Sequence, residues 1–141
     1  MGRALTLCCL LCLPLKHLSV TSDFGYRIHP ITGKYAFHSG TDFRAHNDTV
    51  FAVINGRATI GFDPLLGLNI RLVQNDLEIT YGHLSQPLLT SDSVACGDAI
   101  GITGATGRVT GEHLHLSIKY HNQNIDPLKF LYAIILKSKK P

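Results

Sequence analysis

Between residues 22 and 124 the chain is written in short β-branched or alternating stretches broken by Gly, Asn and Asp. No segment there sustains a 3.6-residue apolar period. This pattern constrains the fold more than any other feature: it predicts a mainly β protein, a single compact antiparallel sheet or sandwich-like domain. Residues 49–54 and 57–62 flank Asn55-Gly56, a dipeptide favoured in two-residue hairpins because both positions accept positive φ. Residues 69–73 and 77–81 flank Gln74-Asn75-Asp76, which predicts a second hairpin. Residues 93–102 turn at Gly97-Asp98, and residues 113–120 read as a further strand. The C-terminus departs from the pattern. Asp126 is placed to cap, Pro127 suits a first helical position, and Leu128, Leu131 and Ile135 recur at helical spacing ahead of Lys137. One short closing helix is expected.

At 141 residues the chain has room for one ordinary domain. Residues 4–15 form an apolar run behind Arg3. A membrane-crossing helix needs about 20 such residues; this shorter run suits the apolar region of a secretory signal, and Ser19-Val20-Thr21-Ser22 offers small residues for cleavage. The expected organisation is a leader at 1–21, a domain at 22–136 and a basic tail at 137–141, with export and no stable membrane span after leader removal. Cys8, Cys9 and Cys12 fall in that leader, leaving Cys96 alone and the domain without an internal disulfide. Cys9-Leu10-Leu11-Cys12 has CxxC spacing but lies in an apolar run with no preceding strand, which argues against a redox or zinc role.

The net charge is +3. With Arg3, Lys16, Lys137, Lys139 and Lys140 set aside, 8 basic residues face 10 acidic ones, so the body has no basic face for nucleic acid. Eight His stand against two Glu, Glu78 and Glu112. Imidazole is the commonest metal ligand and a base near neutral pH, so the question is which histidines cluster. His38-Ser39-Gly40-Thr41-Asp42 sets an imidazole four residues from a carboxylate. In Glu112-His113-Leu114-His115 the two imidazoles share one face if the segment is a strand. Catalytic zinc is usually held by three protein ligands, leaving a fourth position for water. His38, Asp42 and one member of the HxH pair would make such a set, with the other member and His83 free for proton transfer. A lone HxH or HxxxD is common by chance, and His83 alone would more often be a partly buried hydrogen-bonding residue. His29, His46 and His121 carry no assignment, although His29 beside Pro30 could shape a substrate wall, and His17 belongs to the leader.

Rival chemistries lack their signatures. There is no HExxH, no HxE with PCxxC and no GxSxG. Two Glu and no acidic pair make a two-carboxylate glycosidase a poor fit. In residues 101–111 glycines stand at 101, 104, 107 and 111 with no following Gly-Lys-Ser/Thr, so turns and close backbone approach are expected there rather than a phosphate cradle.

The ordered string Ser22-Asp23-Phe24-Gly25-Tyr26-Arg27-Ile28-His29-Pro30-Ile31-Thr32-Gly33, then His38-Ser39-Gly40-Thr41-Asp42, Tyr81-Gly82-His83-Leu84-Ser85, Gly101-Ile102-Thr103-Gly104, Thr106-Gly107 and Thr110-Gly111-Glu112-His113-Leu114-His115-Leu116 resembles the lysostaphin-type zinc metallo-endopeptidases of bacterial cell walls. Asp126-Pro127 with Phe130-Leu131 resembles the closing segment of that family. The resemblance implies a compact β sheet with a groove over one Zn2+ per chain, His38, Asp42 and His115 as zinc ligands, and His83 and His113 as catalytic histidines. It implies a monomeric hydrolase of peptide bonds in peptidoglycan, in the periplasm or secreted. One departure is visible: Asp48-Thr49-Val50-Phe51 stands where the family often reads Gly-Thr-Pro-Val, which alters a loop or strand start but no ligand. Two other readings compete. A non-catalytic relative would bind the cell wall and activate a separate hydrolase, and a structural zinc site would close a four-ligand shell without needing His83 or His113.

Overall fold

The computed structural model describes residues 13–138. The apolar stretch before residue 13, with Cys8, Cys9 and Cys12, and the tail beyond residue 138 lie outside the described residues. The described chain forms twelve strands and one helix: β1 (Val20–Ser22), β2 (Gly25–Ile28), β3 (Tyr35–His38), β4 (Gly40–Arg44), β5 (Thr49–Phe51), β6 (Gly56–Asp63), β7 (Gly67–Gln74), β8 (Leu77–Pro87), β9 (Ser93–Val94), β10 (Ala99–Thr103), β11 (His113–Tyr120), β12 (Gln123–Ile125) and α1 (Pro127–Ser138). Ten strands make one antiparallel sheet with the path β1-β4-β11-β8-β7-β6-β9, while β2 and β3 form a separate hairpin. The protein is mainly β with one C-terminal helix, as the sequence pattern requires.

Alternation along β11 divides the sheet into two faces. Leu114, Leu116 and Ile118 are fully buried and join Phe43 of β4, Ile79 and Tyr81 of β8, and Ile70 and Leu72 of β7 in the core. Each such side chain contributes about 1.5–3 kcal/mol by leaving water. Val50 of β5, Ile100 of β10 and Leu131 of α1 belong to the same cluster. Tyr81 brings a hydroxyl into this apolar layer and satisfies it by accepting from the Val53 amide at 3.0 Å. At the helix start, Asp126 caps through Oδ1, which accepts from the Leu128 amide at 2.9 Å. No described helix is long and apolar enough to cross a membrane.

Two expectations meet a different outcome. Asn55-Gly56 is not a hairpin turn, because β5 pairs with β10 and β6 pairs with β7 and β9. Neither residue takes a positive φ. Asn55 Oδ1 instead accepts from the Cys96 amide at 2.7 Å, tying two loops. Gly56 is needed for close approach: a Cβ there would lie 2.5 Å from the Val73 carbonyl oxygen. Residues ahead of 22 also pack on the sheet. Leu15 is 2% exposed within the core, the Pro14 carbonyl accepts from the Phe51 amide at 2.9 Å, and the Ser19 carbonyl accepts from Arg44 at 2.8 Å. Strand β1 then pairs with β4. Second, Cys96, expected to stand alone, is disulfide-bonded.

Candidate metal centre and active site

The face of β11 opposite the core carries His113 and His115. Register puts His115 across from Asp42 of β4 on one side and Gly82 of β8 on the other. His38 ends β3, whose hairpin folds over this face. His38 Nε2 lies 3.3 Å from Asp42 Oδ1 and 3.3 Å from His115 Nδ1. His115 Nδ1 lies 2.9 Å from Asp42 Oδ1. Two imidazoles about one carboxylate can satisfy each other by hydrogen bonds alone. These three contacts do more: ligand atoms about 2.0–2.1 Å from a tetrahedral zinc stand about 3.3 Å apart. The three residues form a group able to hold a metal ion, and imidazole nitrogen with carboxylate oxygen suits zinc.

Local structure prepares each donor. His38 Nδ1 donates to the Asp23 carbonyl at 2.9 Å, which fixes the tautomer and leaves Nε2 with its lone pair facing inward. Burial alone would raise the Asp42 carboxyl. The hydrogen bond from His115, that from His38 when its ring is protonated, and the charge of the protonated rings outweigh it and hold the group well below the usual carboxylate range. Gly40, directly before Thr41-Asp42, leaves room for the His115 ring: a Cβ there would lie 2.4 Å from the Leu116 carbonyl oxygen and 2.8 Å from the imidazole.

His83 reaches the same face by breaking the strand. Tyr81 points into the core, and strict alternation would send His83 after it. Between the Leu68↔Leu84 and Ile70↔Tyr81 pairs, β8 carries one residue more than β7, and His83 takes φ 63°. This bulge turns His83 to the site and returns Leu84 to the core, fully buried. His83 Nδ1 donates to the Thr106 carbonyl at 2.8 Å, and His113 Nδ1 donates to the Gly111 carbonyl at 2.9 Å. Both Nε2 atoms are therefore acceptors in the neutral rings. The His83 and His113 rings stand edge to face at 4.7 Å, and His113 Nε2 is 3.6 Å from Asp42 Oδ1. Burial pushes the His83 imidazole down to about 4, its bond to Thr106 opposing and the neighbouring His113 and His115 assisting, so it is neutral at physiological pH.

A groove of 510 Å³ opens over the five side chains, walled by His29 and Ile31 from the β2–β3 turn, Leu65 and Leu66, and Arg27 and Arg108. His29 thus shapes a wall, its Nδ1 accepting from the Ile31 amide at 3.1 Å. His46 and His121 lie apart. His46 and the Asn47 amide donate to Glu112, at 3.0 Å and 2.6 Å, and His121 contacts Asp76 at 3.5 Å. Glu112 is an anchor that ties the β4–β5 loop to the start of β11. Sequence reasoning did not single out Leu65, Leu66, Arg108 or the Asp23 and Thr106 carbonyls. Arg27 was within the string Gly25-Tyr26-Arg27-Ile28-His29-Pro30, the one signal that could have found it.

The family model of peptidase family M23 matches residues 36–127. The chain belongs to the M23 peptidase family. This M23 domain is 36% identical over 118 residues to the DD-carboxypeptidase/endopeptidase Mpg of Neisseria meningitidis serogroup B, covering 82% of this chain and 27% of that protein. It is similar in structure to a zinc-containing peptidase from Vibrio cholerae, with TM-score 0.74 and 31% identity over 83% of this chain and 38% of that one. It also resembles the catalytic domain of the antimicrobial peptidase lysostaphin from Staphylococcus simulans, with TM-score 0.73 and 29% identity over 82% of this chain and 92% of that one. The M23 domain described here therefore spans about a quarter of its curated relative's length.

Proposed function

We propose that this M23 domain is a zinc-dependent endopeptidase that hydrolyses peptide bonds in bacterial peptidoglycan, acting as a monomer with one zinc per chain in the cell envelope. The observation that carries the reading is the convergence of three ligand atoms within 3.3 Å of one another beneath two imidazoles whose Nε2 atoms are acceptors. His38 and His115 would hold zinc through Nε2 and Nδ1, and Asp42 through Oδ1. Zinc so held would supply a water of near-neutral pKa and a Lewis acid for the scissile carbonyl.

The chain's own groups do the rest. His113 Nε2 takes the proton of the attacking water and returns it to the leaving amine. Such steps contribute about 10²–10⁴-fold. His83, neutral and accepting through Nε2, takes a hydrogen bond from the attacking water and orients it. Leu65, Leu66 and Ile31 give the groove an apolar wall. A closed structural zinc shell would need a fourth protein ligand, and among the described residues the clustered donor set is His38, Asp42 and His115. The activator reading has no use for two tautomer-fixed histidines beside the metal.

Purified peptidoglycan incubated with the protein tests this reading. Mass spectrometry of the muropeptides should show cleaved peptides with one equivalent of zinc present, no cleavage after chelation, and recovery on adding zinc. Chelator-insensitive cleavage would overturn the metal mechanism, and absence of cleavage by the zinc-loaded protein would favour the activator.

A further inference from the structure

We infer that Arg27 reads the substrate: its guanidinium binds a carboxylate on the peptide beside the scissile bond, so the site prefers an anionic stem peptide over an uncharged bridge. The inference rests on the endopeptidase reading above and adds its specificity.

Placement comes first. In the β2–β3 hairpin Gly25 pairs with His38 and Arg27 pairs with Ala36, so alternation puts Arg27 on the same face as the ligand-bearing His38. Tyr26 and Ile28, on the other face, are 68% and 70% exposed. Arg27 is half-buried and walls the groove that contains all five site residues.

The second observation is an unmet bond. Arg27 Nε is buried and has no hydrogen-bond partner; among the described residues Thr41 Oγ1 alone shares that condition. A buried charged donor without an acceptor is costly, and no described residue supplies one here. Charge supplies the third. Asp42 is the one carboxylate among the groove residues, and it is already engaged by His38 and His115. Arg27 and Arg108 therefore leave the groove cationic even before a metal is counted, although the body of the chain carries 8 basic against 10 acidic residues. The planar fork of an Arg matches a carboxylate with two parallel bonds. Stem peptides of peptidoglycan offer such carboxylates at their acidic residues and C-termini, whereas glycine bridges offer none.

The test uses the zinc-loaded protein and two soluble cross-linked peptides that differ only in a free or amidated carboxylate next to the scissile bond. The wild type should favour the free acid by about ten- to a hundredfold in kcat/KM, mainly through KM, as a charged hydrogen bond implies. Arg27→Gln should bring that ratio close to one with zinc content and melting temperature retained. Arg27→Lys, which keeps the charge and loses the fork, should fall between, and it decides the matter if the Gln variant loses zinc or melts early. An unchanged ratio in the variants overturns the inference, as does a wild type that cleaves both peptides equally. A wild type that cleaves neither peptide nor whole peptidoglycan overturns the endopeptidase reading itself.

Discussion

His83 occupies the left-handed region, φ 63°, which costs a non-glycine residue about 1–3 kcal/mol, and it buries an imidazole that titrates near 4 rather than 6.5. Between those values an unfolded chain binds a proton that the folded one refuses. The stability tied to His83 is therefore complete above pH 6.5 and is lost as the pH falls through 4, by up to about 3 kcal/mol. Urea unfolding of the metal-free protein at pH 7 and pH 5 should show this loss. His83→Asn, which tolerates the same backbone, should flatten the difference, and an identical slope in both proteins would remove His83 as its source. The neighbouring histidines separate by role. His38→Ala should abolish tight zinc binding, while His113→Ala should keep the metal and lose about 10²–10⁴-fold in turnover. Zinc retained with unchanged affinity in the first, or full activity in the second, would undo those assignments.

At the level of elements, β4 and β11 fix the donor geometry, and Gly40 is where a side chain would push between them. Gly40→Ala puts a methyl group against the Leu116 carbonyl and the His115 ring, neither of which can yield without disturbing the strand pair or the ligand. The expected cost is about 1–3 kcal/mol together with weakened zinc affinity, read by calorimetry and metal titration. The segment before β2 can be tested in the same way. A chain starting at residue 22 loses the burial of Leu15, worth about 1.5–3 kcal/mol, and the β1–β4 pairing. Its melting temperature should fall by at least about 5 °C; an unchanged melting curve would make that segment dispensable. Strand β11, the β7–β8 hairpin and helix α1 were legible in the sequence because their signals are local: alternation, Asn75 at φ 53°, and a cap followed by Pro127. Asn55-Gly56 misled because its physical reasons, the Cys96 amide and the Val73 carbonyl, lie far away in the chain.

For the molecule as a whole, the same distinction between local and distant causes explains which parts of the site could be read in advance. His38, Asp42, His83, His113 and His115 stood out through their order along the chain. The bulge that turns His83 around and the carbonyls of Asp23 and Thr106 left no mark, because tertiary packing sets them. Three donor atoms that meet within 3.3 Å come from β3, β4 and β11, and His38 and His115 are 77 residues apart. Such separation makes the last steps of folding slow, and it has a biological corollary. Until those three strands meet, the chain has no donor cluster for a metal. On the endopeptidase reading proposed above, an unfinished chain would therefore be inert, and zinc uptake would report that the sheet is complete.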